Sequence, residues 1–441
     1  MIWAKPMRAA TAPLVFLGLA IFLIFFNVLS MESALAGKLL AHYAAASPGH
    51  LTPRPMLPLR LVEIAWLLAV GGGAVWLLRL GVLWAGLACV AGAGLAAWAG
   101  WVVFLRLHRL FDAASVGLAL LLLALVIVGT WALSLWLARM SLRLAFADSL
   151  PRASIEKIAR NPELLRAEGE VRDCSYLVCG VRGLAGLGAA FRDDPAAFTK
   201  LMQQMLSPLM DQALAHGGTI DRLTADGFAA FWNAPLDDPS HATHACEAAS
   251  GMAAMAARVN DSLMGQTRAD GTPLPLLEIS VGVATGPVIA GAFGGHGRMG
   301  YSVNGEAVTL AGRIQALSHS YGPAVIVSDA TKNAADRSFA FLEVDTVAAG
   351  SGDPPVTLFA ILGNPVLKAS PKFRALTTFH DHIFQALRKQ QWRQARALIE
   401  QCRKLSGASP RLYDLHLNRI VYYENSPPGE NWDGAFRPIL K

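Results

Sequence analysis

Charge is scarce in this chain. Only 16% of its 441 residues are Asp, Glu, Lys or Arg, against about 25% in an ordinary soluble protein. The shortage argues against a wholly soluble globule. A 54% hydrophobic content argues equally against a disordered chain, which requires low hydrophobicity. Cysteine is sparse too: Cys89, Cys174, Cys179, Cys246 and Cys402 are odd in number and widely spaced. Cys174 and Cys179 have no second pair to complete a zinc site. Free thiols in a reducing compartment are expected.

The few charges are unevenly placed. Residues 1–140 carry a net +6, 141–169 a net +1, 170–365 a net −8 and 366–441 a net +7. The basic excess therefore sits in an apolar head and a short tail, around an acidic middle. A pI near 9.1 is then no signal for a nucleic-acid partner.

What the chain has in abundance is long apolar runs. Runs at 13–29, 61–78, 80–105 and 113–138 each approach the ~20 residues that a spanning helix needs. A cleaved signal peptide is the rival reading of the first, but the run is long for that purpose and lacks a clear cleavage site. Four spans put both termini on one side. Lys5, Arg8, Arg79, Arg139, Arg143, Arg152 and Lys157 place that side in the cytoplasm, while Arg106 and Arg109 oppose it. Ionisable residues are nearly absent from the runs, so no ion pathway is expected.

Residues 141–169 form a coupling helix and linker, interrupted at Pro151 and restarted near Pro162. Beyond them, 175–181 reads as a strand, 195–216 as a helix, 219–224 and 228–232 as a hairpin, 239–262 as a helix and 278–284 as a strand, extending through 288–292. A helix at 307–318 and a strand at 324–328 follow. The hairpin turns on Ala225-Asp226-Gly227, and Asp-Gly is a strong turn pair. This order predicts an α+β sandwich on a ferredoxin-like core over 170–365. His241 and His244, three apart on a helix, lack a third metal ligand in the sequence and read as helix-surface residues. Gly294-Gly295-His296-Gly297 does not sit between a strand and a helix start, so it is not a phosphate loop.

Three segments together resemble the class III nucleotide cyclases. G-G-T-I-D-R-L-T-A-D-G-F-A-A-F-W-N-A-P at 217–235 resembles their hairpin. I-S-V-G-V-A-T-G-P-V-I-A-G at 279–291 is similar to their central strand, and R-M-G-Y-S-V-N-G-E-A-V-T-L-A-G-R at 298–313 to their base and transition-state segment. I-A-R-N-P-E-L-L at 158–165 and P-P-G-E-N-W-D-G at 427–434 are similar to signatures of the bacterial membrane-bound branch. In that branch a large extracytoplasmic sensor often follows the first span; residues 31–60 are too few for one. The resemblance implies a protein of the bacterial inner membrane with four spans, acting as a homodimer or as a heterodimer with another cyclase chain.

The family's reaction closes the ring of ATP or GTP onto the α-phosphorus with two ions, Mg²⁺ or Mn²⁺, held by two carboxylates. The resemblance puts the first carboxylate at Gly180, which has no side chain, and the second at Asp226. It assigns base reading to Arg222 and Ser302, where the family has Lys and usually Asp or Thr. It assigns transition-state stabilisation to Thr309, where the family has Asn, and to Arg313. Each retained residue has a plainer reading as well: Asp226 as a turn residue, Arg222 as an exposed strand residue, Arg313 as a salt-bridge residue. Thr309 and Arg313 lie four apart on one helix face.

The tail, 366–441, shows helical periodicity broken at Gln390–Gln391, and a further helix opens at Pro410. It is similar to a single tetratricopeptide-like repeat, too small to stand alone. Its charge complements the acidic domain or an anionic membrane surface. The expectation is a membrane-anchored cyclase homologue, catalytically impaired, acting as a dimerising regulator or nucleotide sensor. The alternatives are an active adenylate cyclase, including one in a heterodimer, and a membrane scaffold that recruits a partner through the tail.

Overall fold

The computed structural model describes residues 57–441, apart from 108–112, 148, 166–167, 183–187, 189–190, 266, 268–270, 272, 274–275, 296–297, 349–353, 404–408, 430–431 and 438–441, together with a few residues near position 40. The apolar run expected at 13–29 lies outside the described residues. The chain divides into two compact units, Met1–Leu142 and Arg143–Lys441.

In the first unit, α1 (Leu57–Leu77), α2 (Val82–Leu107) and α3 (Ala113–Phe146) are apolar along their length. The last runs on into the second unit. Two stretches, Val82–Arg106 and Val116–Leu144, are long and apolar enough to cross a membrane by length and composition, and Leu61–Leu77 is a shorter apolar helix. Small residues (Ala74, Ala85, Cys89, Ala93 and Ala96) pack with Leu120, Leu123 and Ile127 at the centre. Trp66 Nε1 donates to the Gly92 carbonyl at 3.3 Å. Trp76, Trp84, Trp98, Leu125 and Trp136 point outward. Large apolar side chains are thus exposed along these helices, while small residues pack together with Leu120, Leu123 and Ile127 at the centre.

The second unit opens with α4 (Arg152–Arg160), which buries Ile155, Ile158 and Ala159. A βαββαβ core follows: β1 (Glu170–Arg182), α5 (Pro195–Ala215), β2 (Thr219–Thr224), β3 (Gly227–Trp232), α6 (His241–Leu263) and β4 (Glu278–Gly295). Then come β5 (Arg298–Asn304), α7 (Glu306–Tyr321), β6 (Val325–Ser328), α8 (Asp329–Ala335), β7 (Ala340–Val347) and β8 (Val356–Gly363). The sheet order is β2-β3-β1-β4-β6-β8-β7, with β5 paired to β4. β2, β3, β1 and β4 are mutually antiparallel, which is the ferredoxin-like arrangement; the parallel β4–β6 pair makes the whole sheet mixed. Helices α5 and α6 bury Leu201, Met205, Leu209, Cys246 and Met252 against Leu177, Cys179, Val281 and Val283 of one sheet face. All five cysteines are free and buried.

Some elements are longer or less exposed than the residue pattern indicates. β4 is continuous through Thr285-Gly286-Pro287, because β1 pairs with it along the whole stretch from Glu278 to Ala290. β5 exists because it completes a hairpin with β4. His241 is not a plain surface residue: its Nδ1 lies 2.9 Å from Ser175 Oγ, and burial pushes its pKa down. His244 Nδ1 contacts Asp238 Oδ2 at 2.7 Å. No group of three or more His, Cys, Asp or Glu that would hold a metal ion occurs among the described residues.

The tail folds as α9 (Pro365–Ala369), α10 (Pro371–Arg388), α11 (Trp392–Cys402) and α12 (Pro410–Asn425). Ile383, Ala386, Ile399, Cys402, Tyr413 and Ile420 form one cluster with Leu342 of β7. Ser409 Oγ donates to the carbonyl of Tyr321, at the end of α7. Phe436 forms an isolated parallel bridge with Val347, its N–H donating to Thr346 O at 2.8 Å. Charge complementarity runs across this junction in Arg419–Asp345, Arg388–Glu343 and Lys368–Asp336.

Two buried histidines hold α10 and α12 to β7. His380 Nδ1 lies 2.9 Å from Glu343 O, a carbonyl that only accepts, so Nδ1 carries the hydrogen. Nε2, left as acceptor in the neutral ring, takes the Tyr413 hydroxyl hydrogen at 2.7 Å. Burial pushes His380 down to about 4 and His416 down as well. The unfolded chain therefore binds the His380 proton near its ordinary value of 6.5 while the folded chain does not. Stability from this site is complete above pH 6.5 and is lost as pH falls toward 4, at up to about 1.4 kcal/mol per pH unit. Denaturant unfolding at pH 7 and pH 5 measures that loss, and His380→Gln is expected to reduce the difference.

Candidate active site

Gly180 lies near the C-terminal end of β1, opposite Gly227 of β3 and Ser280 of β4. The β2–β3 turn brings Asp226 beside it, with Val181 N–H donating to Asp226 O at 2.6 Å. Two positions 46 residues apart in sequence thus become neighbours through strand pairing. The Thr224 hydroxyl contacts Asp226 Oδ1 at 2.9 Å and Gly227 O at 3.1 Å, so the carboxylate is engaged in its own turn.

Helix α7 rests directly on β4. A Cβ at Gly282 would stand 2.3 Å from Ala311 O, so only glycine permits the approach. The approach also brings Gln315 over Gly180. A Cβ at Gly180 would lie 2.2 Å from Gln315 Nε2, and that amide donates to Ser280 Oγ at 2.6 Å. The space above position 180 therefore holds a neutral amide. Thr309 and Arg313 are exposed on α7, whose buried face carries Ala307, Ala311, Ile314, Ser318 and Tyr321. Arg313 makes no ion pair among the described residues, and neither residue is linked by hydrogen bond to Asp226 or Arg222.

Arg222 and Ser302, 80 residues apart in sequence, meet at a residue that sequence reasoning missed. Asp221 accepts from the Ser302 hydroxyl and, at 2.6 Å, from the Tyr176 hydroxyl. Arg222 Nε stands 3.9 Å from Asp221 Oδ2. The Asp221 side chain is 7% exposed and that of Arg222 is 58% exposed. Burial, and then the Asp221 carboxylate, push the Tyr176 hydroxyl pKa upward. The one local signal for Asp221 was its place next to Arg222 within a strand. Tyr176 and Gln315 had none, because their partners are remote in sequence.

The donor set does not fit a pair of metal ions. Of the two positions where the resemblance places metal carboxylates, Asp226 carries one, and the other is Gly180 beneath the Gln315 amide. Arg222 and Arg313 are exposed.

The family model described as the adenylate and guanylate cyclase catalytic domain matches residues 190–362. Adenylate cyclase 1 of Rhizobium meliloti is 27% identical over 169 residues, 38% of this chain and 24% of that protein. The adenylate cyclase of Anabaena cylindrica is 27% identical over 158 residues, 36% of this chain and 30% of that protein. Among solved structures, the adenylyl cyclase CyaB from P. aeruginosa is 24% identical, with a TM-score of 0.39, covering 44% of this chain and 95% of that one. The chain spans about a quarter to a third of the length of these curated relatives. Through residues 190–362 it carries a domain of the class III adenylate and guanylate cyclase family.

Proposed function

We propose that the chain is a membrane-anchored class III cyclase homologue whose own catalytic site is impaired, and that it acts as a dimerising regulator or nucleotide sensor. The observation that carries the reading is Gly180, where the resemblance places a metal carboxylate and where the Gln315 amide fills the space. Thr309 adds to the deficit, since a threonine lacks the amide donor of the family's Asn. Losing one transition-state donor costs about 10²–10³ in rate, and losing a metal ligand is expected to cost at least as much.

Arg222, Ser302 and Arg313 would serve as the nucleotide-facing residues, and Asp226 as the remaining metal carboxylate. The apolar outward faces of α2 and α3 support anchoring in a bilayer, with the second unit in the cytoplasm. The test is an assay of the purified protein with ATP or GTP and with Mg²⁺ or Mn²⁺. Nucleotide binding without cyclic product is the expected result. Cyclic product that disappears in Asp226→Ala would overturn the impaired reading.

A second reading, an active heterodimer, is favoured by one observation. In a head-to-tail dimer one chain supplies metal carboxylates and the other supplies base and transition-state residues. This chain keeps Arg222 and Ser302 together around Asp221 and leaves Arg313 exposed, without an ion pair among the described residues, so it is better equipped for the second role.

A further inference from the structure

Asp221 has no part in the roles assigned above, yet it organises the two base-reading residues. A carboxylate has lone pairs and no hydrogen to give. In its contact with Asp221 Oδ1, Ser302 Oγ must therefore supply the hydrogen. A hydroxyl has one hydrogen, so only its lone pairs are left for a ligand. The Tyr176 hydroxyl hydrogen is directed to Oδ2 of the same carboxylate and does not compete for Ser302. Arg222, 3.9 Å away and mostly exposed, offers donors only.

We propose that Asp221 is a positioning residue that makes Ser302 a hydrogen-bond acceptor, so that the Arg222–Ser302 pair selects adenine over guanine. The inference rests on the reading that these two residues face a nucleotide base. Adenine carries a donor, the N6 amino group, beside the acceptor N1. Guanine carries an acceptor, O6, beside the donor N1–H. With Ser302 at the 6-substituent and Arg222 at N1, the acceptor and the donor match adenine at both atoms and oppose guanine at both. Without Asp221 the Ser302 hydroxyl rotates freely and donates to O6 as readily as it accepts from N6.

The test is displacement of a ribose-labelled fluorescent ATP analogue from the detergent-solubilised full chain by ATP and by GTP. The readout is the ratio of the two dissociation constants. The wild type is expected to hold ATP at least about tenfold more tightly than GTP. Asp221→Ala is expected to bring the ratio close to one. Ser302→Ala removes the acceptor but keeps the carboxylate, is expected to lower the ratio too, and decides the matter if Asp221→Ala does not fold. A purely structural Asp221 would weaken both nucleotides alike and leave the ratio unchanged, which overturns the proposal. Equal affinities in the wild type overturn it while leaving nucleotide binding intact. Binding of neither nucleotide overturns the base-reading assignment and this inference with it.

Discussion

The double variant Gly180→Asp, Thr309→Asn is expected to form cyclic nucleotide at least about 10²-fold faster than the wild type. The first change returns a carboxylate beside Asp226, across the β1–β3 pair. The second returns an amide donor to the exposed face of α7. A single transition-state donor is worth about 10²–10³ in rate, and paired ions act on both the attacking and leaving oxygens. The new carboxylate does not enter free space, because its Cβ would meet Gln315 Nε2 at 2.2 Å. That atom is the far end of a flexible side chain, so Gln315 swings off Ser280 rather than forcing the backbone apart. Either single change is expected to recover less than the pair. Initial rates with ATP and Mn²⁺ measure the effect. A correctly folded double variant no faster than the wild type would contradict the assignment of these positions.

Arg419→Met is expected to lower the stability of the second unit by about 3–5 kcal/mol, the cost of leaving a buried charge without its partner. The Asp345 side chain is 5% exposed and that of Arg419 is 12% exposed. Asp345 Oδ2 takes hydrogen bonds from Arg419 Nη1 at 2.7 Å and from the Tyr321 hydroxyl at 2.6 Å. The Arg419 guanidinium also lies 3.7 Å from the centre of the Phe436 ring. One side chain thus ties α12, β7, α7 and Phe436 together. The control is Arg403→Ala, which breaks an ion pair with Asp414 at 3.0 Å whose partners are 35% and 54% exposed. It is expected to cost no more than about 1 kcal/mol. Thermal unfolding of both variants separates a buried tie from a surface one.

Local chemistry made much of the fold legible. The Asp-Gly turn announced the β2–β3 hairpin, the 3.6-residue apolar spacing announced α5, and Gln390–Gln391 marked the break between α10 and α11. Strands whose existence depends on distant partners were harder to see. β5 is a strand because β4 continues beyond Gly286 to receive it, and β7 and β8 pair with each other and, through β8, with β6. The same limit applies to the candidate site. The motif segments pointed to positions 180, 222, 226, 302, 309 and 313 one at a time, but not to what surrounds them. Gln315 reaches Gly180 only because Gly282 lets α7 sit on β4. Asp221 joins Arg222 to Ser302 only because two hairpins, β2–β3 and β4–β5, bring their residues to one place.

The chain is proposed to retain nucleotide-facing residues without a competent metal site. A single-turnover experiment addresses this most directly: purified protein in excess over labelled ATP, with Mn²⁺, and bound ATP and cyclic AMP quantified in the same sample. ATP bound and recovered as ATP is the expected result. Cyclic AMP formed in that sample, and lost in Asp226→Ala, would contradict it.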